Sequence, residues 1–138
     1  MTSPDDITIA LKLLRTTTDD MERNVVALRL AEARAPGLQD VLIELIGRKD
    51  LRSKRGTLVH ALGHYDCSAH LNFLLALVIE GGLEVASEAF QIIDLIEAVH
   101  GEEAELAFAS ATKALLRPDL VNWRRDTLEE IVGMFEAD

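Results

Sequence analysis

The chain has 138 residues, of which 49 % are hydrophobic, 28 % charged and 4 % aromatic, a composition that fits one globular domain and excludes a disordered chain. Its 24 acidic and 14 basic residues give a net charge of −10, so we expect neither a nucleic acid nor a membrane as partner. The single cysteine excludes an internal disulfide, and the lack of a basic, apolar leader predicts a cytoplasmic protein.

Cap and turn residues divide the chain into about eight predicted helices and no strand. Ser3, followed by Pro4 and two acids, is typical of a helix N-terminus. Apolar residues with the i, i+3, i+4, i+7, i+8 spacing of an amphipathic helix follow Gly37: Leu38, Val41, Leu42, Leu45 and Ile46. Glycines at 63 and 81–82 predict further helix ends. The sequence therefore predicts an all-α fold.

The predicted helices form pairs that recur every 31–32 residues or so. A 32-residue shift carries one apolar group onto another: Leu42, Leu45 and Ile46 onto Leu74, Leu77 and Val78. Such a period is typical of an α-solenoid, in which neighbouring helix pairs share their apolar faces. We expect a single domain over 1–138, with a cap helix at about 4–16, pairs at about 19–47, 50–80 and 83–116, and a C-terminal cap helix at about 120–136.

Residues 55–63, which read Arg-Gly-Thr-Leu-Val-His-Ala-Leu-Gly, and the leucine-rich residues 71–78 resemble the bacterial HEAT-like repeat. In that pattern an arginine opens the first helix, Ala-Leu-Gly ends it, and an aspartate-containing turn leads to the second helix. The turn here has Cys67-Ser68 where the family usually has a proline after the aspartate. The resemblance implies a short right-handed α-solenoid of about three pairs, and such repeats serve as binding platforms, enzyme parts and toxin-neutralising proteins.

Candidate metal ligands lie close together in the sequence: His60, His64, Cys67 and His70. Nitrogen and sulfur ligands at this density suit zinc or iron. Against this, Gly63 predicts that the helix ends after His60, so His64 would lie in a turn and point elsewhere. HEAT-like hydroxylases use His-Glu pairs, and this chain contains none. We therefore expect no metal, no other cofactor and no catalytic residue, with Cys67 as a structural thiol.

Residues 56–112 contain nine acids and neither lysine nor arginine. Such a segment creates a negative field that steers the approach of a basic partner and contributes to its selection. We therefore predict that Glu84, Glu88 and Glu97 contact a basic protein. The basic cluster at residues 48–55 is interpreted as structural, because no aromatic residue is interleaved with it to stack on bases.

The second helix of each pair usually lines the concave face of a solenoid. Leaving the apolar core of residues 38–46 aside, the free face of that helix carries Asp40, Ile43 and Glu44. The corresponding and neighbouring residues one repeat later are Asn72, Leu75, Ala76, Ile79 and Glu80. Apolar side chains flanked by acids are typical of a protein interface, so we add these eight residues to the predicted site.

Together these features predict a non-catalytic, acidic protein-binding module, for example an immunity-type inhibitor of a basic protein or toxin. One alternative is a HEAT-like enzyme or enzyme accessory, of the metal-dependent hydroxylase or chromophore-lyase type, with the histidine cluster as its support. A further alternative is a scaffold that self-associates, as a homodimer for example, through its apolar stripe.

Overall fold

A computed structural model describes residues 3–99 and 101–136, and this part of the chain contains eight α-helices and no β-strand. Two short 3-10 turns, at Lys49–Leu51 and Ser68–His70, precede α4 and α5. The all-α prediction is confirmed. The helices are α1 Pro4–Thr16, α2 Asp20–Glu32, α3 Leu38–Ile46, α4 Gly56–Leu62, α5 Leu71–Glu80, α6 Leu83–Leu95, α7 Gly101–Leu115 and α8 Asn122–Glu136.

The chain divides into two compact units, residues 1–65 with α1–α4 and residues 66–138 with α5–α8. The charges divide at the same place in the sequence. Unit 1 has nine acids and ten bases, a net charge of +1, whereas unit 2 has fifteen acids and four bases, a net charge of −11. The net negative charge of the protein therefore belongs entirely to unit 2.

Local capping chemistry sets the helix starts of unit 1. Ser3 is the N-cap of α1, as the sequence predicts, and it forms a reciprocal capping box with Asp6. The Asp19 carboxylate accepts the backbone N–H of Glu22 and caps α2. Gly37 has a φ of 87°, a left-handed conformation that glycine adopts without strain, and it turns the chain into α3.

In unit 1, α1 packs on α2 and α3, and α4 packs on the same two helices. The apolar stripe predicted for α3 is buried throughout. Tyr65 belongs to this unit as well, and its hydroxyl donates to the Ala35 carbonyl at 2.9 Å. Partial burial raises the pKa of Tyr65, so its hydroxyl remains a protonated donor at neutral pH.

Arg23 is a buried arginine in unit 1, with only 2 % of its surface exposed. Its guanidinium donates to the Thr17 carbonyl at 2.8 Å and to the Asp20 carboxylate at 2.7 Å. The other oxygen of Asp20 lies 3.0 Å from Lys54 Nζ. These partners lower the pKa of Asp20, with the hydrogen bond from Arg23 as the largest cause. Arg23 and Asp20 together therefore join the α1–α2 turn to Lys54 in the segment before α4.

We expect Arg23→Ala to lower the free energy of unfolding by about 2 kcal/mol, because the Thr17 carbonyl loses its donor and a buried side chain is removed. Urea unfolding followed by circular dichroism measures the loss. Arg29→Ala is the matched control on the same helix, since Arg29 is exposed, and its effect should stay within about 0.5 kcal/mol. Equal effects of the two variants would contradict a specific role for Arg23.

In unit 2, α5 packs against α6, α7 and α8. Arg124 at the start of α8 donates to the carbonyl of Val78 near the end of α5, at 2.6 Å. The same guanidinium lies over the ring of Trp123, 4.5 Å from its centroid, in cation–π geometry. These contacts join α8 to the C-terminal turn of α5, where free carbonyl groups need donors.

Gly81 and Gly82 alone connect α5 to α6. Gly81 is buried, and its N–H donates to the Leu77 carbonyl at 2.8 Å. A Cβ atom at Gly81 would lie 2.5 Å from that oxygen and 2.9 Å from Val85 Cγ1, whereas a Cβ at Gly82 would meet nothing within 4 Å. Only the first of the two glycines is thus required by close packing.

The bounds of α4, α6 and α7 differ from the sequence prediction, and α4 begins at Gly56 where a start near Leu51 is predicted. The sequence predicts that α6 runs to about residue 101 and that α7 begins near Ala104, but α6 ends at Leu95 and α7 begins at Gly101. Glu102 and Glu103 therefore occupy the first turn of α7, where negative charge complements the helix dipole. Within 3–99 and 101–136, no helix is long and apolar enough to cross a lipid bilayer.

Candidate protein-binding site

The three predicted site residues of unit 1 lie on the outer side of α3. Asp40 and Glu44 are exposed and Ile43 is partly exposed, opposite the buried stripe of that helix. The Glu44 carboxylate accepts from Arg15 Nε of α1 at 3.0 Å. Because both side chains are about half exposed, this ion pair contributes little to stability and leaves Glu44 accessible.

The five predicted residues on α5 all border the space between α5 and α7 in unit 2. Ala76 and Glu80 are exposed, and Asn72 and Ile79 are partly exposed. Leu75 is only 1 % exposed, so its side chain belongs to the core beneath this space and does not face a partner. Leu75 is buried because α5 has three helical neighbours, which leave it little free surface.

Two adjoining depressions form one surface feature, which we call the α5–α7 groove. Their volumes are about 150 and 330 Å³, and they share Ala76, Ile79 and Ser110. The sequence did not identify the α7 side of the groove, which consists of Leu106, Ser110, Lys113, Ala114 and, just after the helix, Arg117. The helical spacing of these α7 residues is visible in the sequence, but their position beside α5 depends on tertiary packing.

Polar bridges between α5 and α7 close both ends of the groove. At one end Asn72 Nδ2 donates to the Glu103 carboxylate at 2.8 Å and to the Glu103 carbonyl at 3.1 Å. At the other end Arg117 donates to the Glu80 carboxylate at 3.0 Å. The groove thus has an apolar middle and hydrogen-bonded ends that fix its two walls.

The outer side of α6 is acidic. Its buried side carries Val85, Ala86, Ala89, Ile92 and Ile93. The opposite side, with the turn that follows it, carries the residues that we call the α6 acidic face: Glu84, Glu88, Asp94 and Glu97. All except the partly exposed Glu88 are exposed. Leu83 and Leu95 lie near its two ends and are 57 % and 71 % exposed.

Within the histidine cluster the chain turns after α4, as the position of Gly63 predicts. Helix α4 ends at Leu62, with Gly63 as its C-cap, so His64 lies outside the helix. The rings of His60 and His64 meet edge to face, with centroids 6.3 Å apart. Cys67 is buried, and His70 ends a 3-10 turn. Over 3–99 and 101–136, no three His, Cys, Asp or Glu side chains are arranged to hold a metal ion.

Asp66, next to this cluster, has a local structural role. Its carboxylate accepts the backbone N–H of Ser68 at 2.9 Å. That hydrogen bond is the main reason why the pKa of Asp66 is lowered, because it favours the charged form. The carboxylate therefore stabilises the turn that leads into α5.

The basic cluster of residues 48–55 is largely engaged within unit 1. Arg48 forms a two-pronged pair with Asp50 and also donates to the Arg15 carbonyl. Lys54 pairs with Asp20, and Arg55 donates to the carbonyl of Ile46 at the end of α3. These contacts agree with the structural interpretation of the cluster.

No known protein family, curated protein or solved structure matches this chain. We therefore infer function from the charges, exposure and contacts of the residues described above.

Proposed function

We propose that this chain is a non-catalytic protein-binding module that recognises a basic partner through unit 2. The observation that carries the proposal is the α6 acidic face, whose carboxylates lie in a segment without lysine or arginine. All four bases of unit 2 lie further along the chain, on α7, on α8 or between them. A basic surface would complement the exposed carboxylates of Glu84, Asp94 and Glu97.

The acidic face acts as one electrostatic unit. Glu84 and Glu88 are one turn apart, or about 6 Å along the helix axis, which is less than the screening length of about 8 Å at physiological salt. Carboxylates at this spacing repel each other and produce a joint field. Such a field raises association rates with a basic partner and disfavours acidic competitors.

Leu83 and Leu95 give this face an apolar component. Protein interfaces combine buried apolar contacts with a polar rim, and charge alone seldom gives tight binding. Exposed leucines at the ends of an acidic helix face therefore favour a protein partner over a small cation.

The proposal includes a short right-handed HEAT-like solenoid, with α2–α3, α4–α5 and α6–α7 as its pairs and α1 and α8 as caps. Some of the contacts within each unit support this arrangement, whereas the main contacts of α6 are with α5 and α8. In unit 1, α2 packs on α3 and on α4, and in unit 2, α5 packs on α7, as the helices of stacked pairs would. An immunity-type inhibitor would use its acidic face to cover the basic surface of an enzyme such as a nuclease toxin.

We expect the triple variant Glu84→Lys, Asp94→Lys and Glu97→Lys to lose at least about tenfold in binding to the proteins that the native chain captures. The native chain, immobilised and exposed to lysate of its source cells, should capture basic proteins and release them as salt rises. Mass spectrometry identifies the captured proteins and quantifies the loss. Glu88 stays unchanged in this variant because it is only partly exposed.

The matched control is Asp126→Lys, Glu129→Lys and Glu130→Lys on α8, where all three residues are exposed. It changes the net charge of unit 2 by the same amount, so it should retain capture if the α6 acidic face is the site. Equal loss in both variants would show that overall charge governs capture. Capture that both variants retain, or capture of acidic proteins, would contradict the proposal.

A further inference from the structure

The proposed function uses the α6 acidic face and gives no role to a second feature of unit 2. The α5–α7 groove offers an apolar middle between fixed polar ends, and it is accessible along its length. Ala76 and Lys113 are exposed, and Leu106 on the α7 wall is 56 % exposed. The small residues Ala76 and Ser110 face each other across its middle and leave it unfilled.

We propose that the α5–α7 groove binds an amphipathic, lysine- or arginine-rich helical segment of the partner. Aliphatic side chains one turn apart on that segment would occupy the middle of the groove, over Ala76, Ile79 and Ser110. The inference rests on the proposed function, because it takes the partner to be basic. It adds a binding mode in which one helix lies between two others.

The two walls have matching periodicity. Asn72, Ala76 and Ile79 line the α5 wall, and Leu106, Ser110 and Lys113 line the α7 wall with the same i, i+4, i+7 spacing. At 1.5 Å per residue, each set extends over about 10 Å, or two helical turns. This length accommodates apolar side chains at i and i+4 of a bound helix.

The charge around the groove favours a basic segment. Glu103 closes one end, and Glu102 and Glu105 are exposed in the first turns of the same helix. At the other end Arg117 is already paired with Glu80, which leaves Lys113 as the remaining cation of the lining. The acids near the start of α7 therefore select lysine or arginine on the flanks of the segment, and they orient its cationic end toward Glu103.

The shape of the groove favours a peptide over a small molecule. Small-molecule sites enclose most of their ligand within concave walls. Here the two depressions adjoin in a line, and exposed residues border them on both helices. A helix that contacts two walls and leaves its outer side in solvent fits this geometry.

The test uses three synthetic peptides of about 18 residues. The first contains leucine and lysine with leucine at i, i+3, i+4 and i+7, the second has the same composition in an order without an apolar face, and the third replaces lysine by glutamate. Titration into the full chain, followed by amide NMR shifts, should show binding of the first peptide, at least about tenfold tighter than the others, with shifts concentrated on α5 and α7.

Ala76→Phe fills the groove and should weaken binding of the first peptide at least about tenfold, and Ser110→Leu should act in the same direction if the first variant folds poorly. Ala109→Phe is the matched control, because Ala109 is exposed on α7 and does not line the groove. Binding that Ala76→Phe and Ser110→Leu leave unchanged, equal binding of the shuffled or acidic peptide, or a Kd above about 1 mM would overturn this inference.

The two proposals fail separately. Peptide shifts confined to α6, together with loss of capture in the α6 triple variant, would overturn the groove as the docking site and leave the proposed function intact. Loss of peptide binding in Ala76→Phe, without any capture of basic proteins by the native chain, would support the groove and contradict the proposed function.

Discussion

Replacing Gly81 by alanine should destabilise the protein by about 3 kcal/mol. The new methyl group would lie 2.5 Å from the Leu77 carbonyl oxygen and 2.9 Å from Val85, closer than van der Waals contact allows. The oxygen is backbone of α5 and cannot move aside, so α6 would have to shift away from α5. A loss of this size is a large part of the roughly 5–15 kcal/mol that stabilises a typical domain.

Gly82→Ala is the matched control, one residue away. Nothing lies within 4 Å of its Cβ position and its φ is −70°, so alanine fits there and should change stability by at most about 0.5 kcal/mol. Urea titration followed by circular dichroism should show a midpoint roughly 1–2 M lower for Gly81→Ala alone. Similar midpoints for the two variants would show that α5 and α6 are not held in this close contact.

Leu74→Ala is expected to cost about 3–4 kcal/mol. Leu74 is fully buried on α5, whose neighbours α6, α7 and α8 limit how far the structure can collapse into the cavity left behind. The cost therefore includes both the lost transfer free energy of the side chain and the unfilled cavity.

Leu95→Ala removes the same atoms from the exposed end of α6 and should change stability by no more than about 0.5 kcal/mol. Both variants are measured by urea unfolding with the slope fitted freely, because an unchanged slope shows that the native fold is retained. Equal losses of stability in Leu74→Ala and Leu95→Ala would contradict the burial of Leu74 among α6, α7 and α8.

Local signals predicted the helices and much of the core. Leu42 and Leu74, matched by the 32-residue shift, are both fully buried. A regular apolar spacing predicts burial because the apolar side of a helix lowers the free energy of folding when other helices cover it. The N-cap at Ser3 and the end of α4 before Gly63 also follow the prediction, since both depend on neighbouring residues alone.

The candidate site was only partly predictable. The spacing of α5 identified Ala76 and Ile79, which border the groove, but it also placed Leu75 on a free surface. Most of α5 is apolar on every side, a composition typical of a helix with neighbours all around. The sequence alone did not show that Leu75 would be buried. Residues that meet only through tertiary packing, such as Asn72 and Glu103, carry no local signal.

Arg23 shows that sequence patterns can also fail to predict the burial of a charged residue. An arginine in a helix with several charged residues is expected at the surface, because burial of an unpaired charge is costly. Its burial depends on the Thr17 carbonyl and the Asp20 carboxylate, and the first of these is a backbone atom six residues earlier. Composition and periodicity do not encode such a contact.

The single tryptophan and the single tyrosine of the chain lie in different units. The only tryptophan, Trp123, lies in unit 2 beneath the Arg124 guanidinium, and the only tyrosine, Tyr65, lies in unit 1 with its hydroxyl bonded to Ala35. Indole fluorescence, excited at wavelengths that the phenol does not absorb, therefore follows the melting of unit 2 by itself, without labels or added chromophores.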